Sequence, residues 1–157
     1  MIIKNMEFND DVVSEIGRFA ILWNFFENNY FDNTCGDKKI VQKSKKLVAD
    51  DEKLASFRQV LHDRRDRLYN QNNDQYINNG LFPENARHNN SQFDQYMNNF
   101  MNQEGGHRFT GCLLIIYRIR NNLMHGLKDI RDLNEQLVLF RAASDVLESI
   151  RWNHVSI

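Results

Sequence analysis

The chain has few of the residues that interrupt regular structure. It contains one proline and seven glycines among 157 residues. Proline and glycine are the strongest local breaks in a sequence, so their scarcity favours long helices over many short strands. The sequence therefore predicts an all-α protein.

Cysteine and net charge are also scarce. Cys35 and Cys112 show neither a disulfide framework nor the spacing of a zinc site. The formal net charge of −1 creates no global field that would attract nucleic acid, so any RNA contact must come from a local patch. His88, His107 and His154 have no carboxylate or cysteine at ligand spacing. We therefore expect no metal ion and no other cofactor.

Long apolar runs are absent too. The longest one, about 113–119, is interrupted by Arg118 and is far shorter than the roughly 20 residues that a membrane-spanning helix needs. The first residues lack the basic start and continuous apolar stretch of a signal peptide. These absences predict a cytoplasmic protein with no membrane association.

What the chain does contain is a patterned set of apolar residues, which make up 41% of it, with aromatics at 11%. This composition is typical of a globular protein with a real core. Apolar positions recur at helical spacing in several segments. They predict helices at about 10–30, 38–70, 93–101 and 108–124, and from 133 onwards. The acids in 49–52 suit a new helix start, so the second segment is either one helix or two.

The region between the second and fourth of these helices is less regular. Apolar density falls over 71–90, which includes Pro83, and the pair Gly105-Gly106 ends the short pattern that follows. We interpret about 71–106 as an irregular insertion. No repeat or linker divides the chain. The prediction is one domain, 1–157, forming a bundle of four to five helices.

The most informative segment is Arg-Asn-Asn-Leu-Met-His-Gly at 120–126, where an apolar helix ends. Arginine binds phosphate through a planar fork of donors, and histidine moves protons near neutral pH. On a regular helix Asn121 and His125 share a face, while Arg120 points to one side. The arginine and the histidine can reach one site if the last turn of the helix deforms before Gly126. Alternatively, the same motif of a second copy of the chain completes the site across a two-fold axis.

This segment resembles the Arg-x(4–6)-His signature of the HEPN superfamily (higher eukaryotes and prokaryotes nucleotide-binding domains). In that family a polar residue, commonly asparagine, often follows the arginine, as Asn121 follows Arg120. The context is similar as well, with an apolar helix, the motif, a short loop and a capped amphipathic helix. The aromatic-rich segment 18–27 also resembles the opening helix of many members. Specific similarity is confined to the surroundings of the motif.

The resemblance implies a helical bundle that forms a homodimer and acts as a metal-independent endoribonuclease in a toxin–antitoxin or antiviral defence system. It implies that Arg120 binds and polarises the scissile phosphate and that Asn121 positions Arg120 or the phosphate. His125 would act as general acid or base, or would orient the ribose 2′-hydroxyl. The implied partners are RNA, a second copy of the chain and an antitoxin or defence-system protein. Leu127 stands where one toxin subgroup has a modifiable tyrosine, which argues against that mode of control.

Weaker candidates for RNA contact surround the motif. Tyr117 either lines a base-stacking pocket or packs inside the bundle. Asn122 continues the polar end of the helix. The lysines of the second helical segment either contact an RNA backbone or form a solvated face; they include Lys38, Lys39 and Lys43.

Three other interpretations fit the same residues, two of them functional and one purely structural. One is a non-catalytic module of this family that binds RNA, a nucleotide or a protein partner. Another is a structural helical adaptor. The third is a capped helix end, in which Arg120 forms a surface ion pair and His125 acts as a polar cap.

Overall fold

The computed structural model describes residues 1–63, 69–70, 75–76, 91–124 and 130–154. This part of the chain contains six α-helices, which are α1 (Asp10–Tyr30), α2 (Asp37–Lys43), α3 (Asp51–Asp63), α4 (Ser91–Asn102), α5 (Arg108–Met124) and α6 (Leu137–Ser149). Two 3-10 helices, Ser44–Lys46 and Ile130–Gln136, accompany them. The all-α class is therefore confirmed.

The described strands are short and form no sheet core. Each has two residues, and they pair antiparallel as β1 (Ile2–Ile3) with β2 (Met6–Glu7), β3 (Leu47–Val48) with β6 (Arg151–Trp152), and β4 (Tyr69–Asn70) with β5 (Gln75–Tyr76). In the second pair Leu47 lies opposite Trp152. This pair attaches the chain after α6 to the segment between α2 and α3.

The core is built around α5. Its residues 112–116 are all buried, as expected for a helix that is apolar on every side. Helix α4 packs along it. Helix α1 turns Phe19, Trp23 and Phe26 inward and packs on α6, which also contacts α3. The acids Asp10 and Asp11 suit the positive end of the α1 dipole.

Two of the predicted boundaries need correction. The irregular insertion of about 71–106 is too long, because 91–102 form the regular helix α4. Its buried side chains recur at three- and four-residue steps, so they form one face against the core; they are Phe93, Tyr96, Met97, Phe100 and Met101. The segments 71–74 and 77–90, including Pro83, lie outside the described residues.

The helix count also exceeds the predicted four to five, because α2 and α3 are separate helices and α4 is a full one. The acids at 51–52 begin α3, so the second predicted segment forms two helices and not one. The last helix begins at Leu137 and not at 133, since a 3-10 helix precedes it. There Asn134 accepts a hydrogen bond from the Asn9 backbone N–H (2.8 Å) and donates one to the Glu7 carbonyl (2.9 Å).

None of the helices in the described ranges combines the length and the apolar character needed to cross a bilayer.

Candidate functional site

The last turns of α5 carry the predicted phosphate-binding residues. Arg120 is half-buried, and Asn121 is only 8% exposed. Nη1 of Arg120 donates a hydrogen bond to Oδ1 of the neighbouring Asn121 at 2.9 Å. The Asn121 side chain is itself buried in the helical bundle. Asn121 therefore fixes the direction in which Arg120 presents its remaining donors.

A cavity of about 80 Å³ lies beside Arg120, between α1 and α5, and is partly open to solvent. It is lined by Phe19, Ala20, Trp23, Asn24, Arg120 and Leu123. Most of this lining is apolar, which lowers the local dielectric constant. An anion bound by Arg120 at this rim would be attracted more strongly than on an open surface.

The tryptophan at the cavity is held on two sides. Its Nε1 donates to Oε2 of Glu27 at 3.0 Å, one helical turn along α1. Its ring is stacked on Tyr117, with ring centroids 5.9 Å apart and planes at 28°. Tyr117 thus packs against Trp23 inside the bundle, the second of the two alternatives considered for it. This stacking and hydrogen bonding make the cavity wall a preformed surface.

Cys35, in the connection between α1 and α2, lies near the same charges. The pKa of its thiol is raised to about 12, mainly by burial and also by the carboxylates of Glu27 and Asp37, while the cations Arg120 and Lys39 oppose the shift. The raised pKa keeps Cys35 protonated near neutral pH, so it is not an activated nucleophile.

The predicted lysines lie on α2, and two of them already have neighbours. Lys39 donates to Thr34 Oγ1. Lys43 forms an ion pair with Asp32, with 3.4 Å from Nζ to Oδ2, and lies over the Phe31 ring at 5.8 Å. Lys38 is exposed. None of these three lysines lines the cavity beside Arg120.

Sequence reasoning missed the role of Arg118, which was noted only as a break in an apolar run. It is 1% exposed and lies 5.9 Å from the Phe93 ring. Burial lowers its pKa to about 10, although Asp37 and Asp94 act in the opposite direction. It therefore stays charged near neutral pH while connecting α5 electrostatically to α2 and α4. A lone cation within an apolar helix was the available signal.

Trp23 and Asn24 were also missed as residues of the Arg120 cavity, and Glu27 as the hydrogen-bond partner of Trp23. Nothing in the local sequence relates them to a helix that begins 78 residues after Tyr30, at Arg108. Asn122 is half-buried on α5, next to Asn121. His125, Gly126 and Leu127 lie outside the described residues, and their predicted roles stay predictions.

Within the described ranges, no three His, Cys, Asp or Glu side chains are grouped closely enough to hold a metal ion. No family model, curated protein or solved structure matches the chain. The HEPN assignment therefore stays a prediction from the motif and its helical context.

Proposed function

We propose that the protein is a cytoplasmic, metal-independent endoribonuclease that cleaves RNA at a composite site of a homodimer, as part of a toxin–antitoxin or antiviral defence system. The main support is the half-buried Arg120, oriented by Asn121 at the rim of an apolar cavity. No carboxylate of the described ranges forms an ion pair with Arg120. Its donors are therefore suited to a phosphate.

The proposed reaction needs only RNA and two proton-transferring groups. The ribose 2′-oxygen attacks the adjacent phosphorus, and the bond from phosphorus to the 5′-oxygen breaks. The 2′-hydroxyl proton passes to a base, and the leaving 5′-oxygen takes a proton from an acid; the His125 side chains of the two copies fill these roles. Arg120 stabilises the charge that develops on the phosphate. The products are a 2′,3′-cyclic phosphate and a 5′-hydroxyl end.

Exposed apolar residues on α1 support the homodimer. Ile21 is 70% exposed and Phe25 is 60% exposed, one turn apart on the outer side of this helix. Asn24, which lines the cavity, is next to Phe25 in the chain. Exposed apolar side chains grouped in this way are typical of a protein contact surface. A contact here would lie beside the Arg120 cavity.

Histidine replacement tests the activity. Purified wild-type protein should cut single-stranded RNA in the presence of EDTA and should leave DNA of the same sequence intact. His125→Ala should lower the rate by about 100-fold or more, because a positioned acid or base contributes that much. His154→Ala is the matched control, since the His154 side chain is exposed and its backbone N–H donates to the Trp152 carbonyl. Equal cleavage by wild type and His125→Ala would contradict the assignment.

A second candidate function is a non-catalytic module that binds RNA, a nucleotide or a protein partner. It is favoured by the net charge of −1 and by the contacts that Lys39 and Lys43 already make. Both weaken the attraction for an RNA backbone. RNA binding that Arg120→Ala abolishes, without any strand cleavage by wild type, would support this function over the enzyme.

A further inference from the structure

The cavity beside Arg120 combines two kinds of surface. Its walls are the apolar side chains of Phe19, Ala20, Trp23 and Leu123. Its polar groups are the Asn24 amide and the Arg120 guanidinium. A complementary ligand has a flat apolar body, an edge that forms hydrogen bonds and an adjacent negative charge. A nucleotide has all three.

We propose that this cavity binds one nucleobase of a single-stranded RNA, with the adjoining phosphate on Arg120 and the edge of the base on Asn24. The proposal rests on the proposed function for its ligand class, RNA. It extends that function by assigning a base-binding site to α1, a helix outside the motif. Asn24 is then a specificity-determining residue.

The size of the cavity limits how a base can enter. An apolar cavity of roughly 150 Å³ encloses a whole benzene ring. This cavity is smaller, at about 80 Å³, and partly open. It therefore accepts only the edge of one base that points away from the ribose. The ribose stays outside, near the Arg120 side chain. A paired base cannot enter in this way, so the ligand is single-stranded RNA.

The walls are also held in place before any ligand binds. Trp23 is hydrogen-bonded to Glu27 and stacked on Tyr117. Arg120 is directed by Asn121. Preformed walls reduce the ordering cost of binding. The Asn24 side chain is exposed on α1 and offers both a donor and an acceptor. An asparagine amide pairs best with adenine, through two hydrogen bonds, so adenine is the expected base.

Tryptophan fluorescence can report on this cavity directly. The chain has two tryptophans, so Trp152→Phe leaves Trp23 as the only one. Trp152 is 41% exposed and contacts the Tyr30 ring, two helical turns along α1 from Trp23 and outside the cavity lining, where phenylalanine can replace it. The probes are 2′-O-methyl tetranucleotides of A, C, G or U, which cannot be cut because the attacking hydroxyl is blocked. We expect a saturable change in Trp23 emission, strongest with the A strand.

Two pairs of variants in the Trp152→Phe background test the assignment. Ala20→Leu fills the cavity and should weaken binding by about tenfold or more, whereas Ala55→Leu adds the same atoms on the exposed face of α3 and should leave binding unchanged. Asn24→Ala should weaken binding of the A strand by about fivefold or more and level the preference among bases. Asn28 is exposed one turn further along α1, so Asn28→Ala should change neither the affinity for the A strand nor the preference among bases.

Three results would overturn the base-binding site. One is an abasic strand that binds as tightly as the A strand. Another is unchanged affinity in both Ala20→Leu and Asn24→Ala. The third is no binding of any strand at millimolar concentration. Because the probes cannot be cut, an absence of catalysis leaves this test intact. Conversely, RNA cleavage that continues in Ala20→Leu with unchanged affinity would uphold the enzyme and reject the base site.

Discussion

At the scale of single residues, two arginines on α5 show how position decides role. Arg118 and Arg120 are two residues apart, so their side chains leave the helix about 200° apart. Arg118 faces the packed core beside Phe93, and burial lowers its pKa to about 10. Arg120 reaches the cavity rim and contacts Asn121. The sequence shows two similar cations, whereas the packing of α5 assigns one to the core and the other to the site.

We expect that a positive charge alone at position 120 is not enough for RNA cleavage. Arg120→Lys keeps the positive charge but loses the planar fork, so it cannot bond to Asn121 and a phosphate in the same geometry. Its RNA-cleavage rate in EDTA should fall by about tenfold or more, which is at least 1.4 kcal/mol of transition-state stabilisation. Steady-state kinetics measure this loss.

Arg151→Lys is the matched control, since Arg151 forms an exposed ion pair with Asp50 and neither residue lines the cavity. It should cleave RNA at the wild-type rate. A fully active Arg120→Lys would show that Arg120 serves only as a general positive charge.

At the scale of elements, the crossing of α4 and α5 depends on one glycine. A Cβ placed on Gly111 would lie 1.9 Å from the Tyr96 carbonyl oxygen, which is backbone and cannot move without shifting α4. Gly111→Ala should therefore lower the free energy of unfolding by about 3 kcal/mol or more. Urea denaturation followed by circular dichroism at 222 nm measures the change.

Gly17 provides the opposite case on α1. Its added Cβ would meet no atom within 4 Å. Gly17→Ala should stabilise the protein by about 0.5–1 kcal/mol, because alanine is the better helix former. If the two alanine variants unfolded at the same urea concentration, the close α4–α5 crossing would be contradicted.

The helices differ in how well the sequence predicts them. The bounds of α1 and α5 were predicted closely, since each has many apolar residues at helical spacing and polar residues or glycines near its ends. The 3-10 helix Ile130–Gln136 was not predicted, because Asn134 bonds there to Glu7 and Asn9, which are distant in the sequence. The extent of α4 was underestimated because the polar segment before it hides the start of its apolar face.

At the scale of the whole molecule, α1 connects the core to the candidate site. On one side Arg18 bonds to Asp145 (2.9 Å) and Glu148 (2.5 Å) of α6, which anchors the helix. Burial alone would lower the pKa of Arg18, but these bonds and one to Glu15 raise it above its usual value. On the opposite side Trp23 and Asn24 face Arg120. The motif could be found in the sequence, whereas the cavity could not, because it requires α1 and α5 to pack together.

The central claim is that two copies of the chain share one RNA-cleaving site. Its most direct test is the RNA-cleavage rate, in EDTA, of co-expressed mixtures of wild-type and His125→Ala chains at constant total protein. If both copies contribute a histidine, mixed dimers are inactive and the rate falls with the square of the wild-type fraction, to about one quarter at equal amounts. A rate that falls in simple proportion, to about one half, or a wild-type protein that cuts no RNA, would contradict the claim.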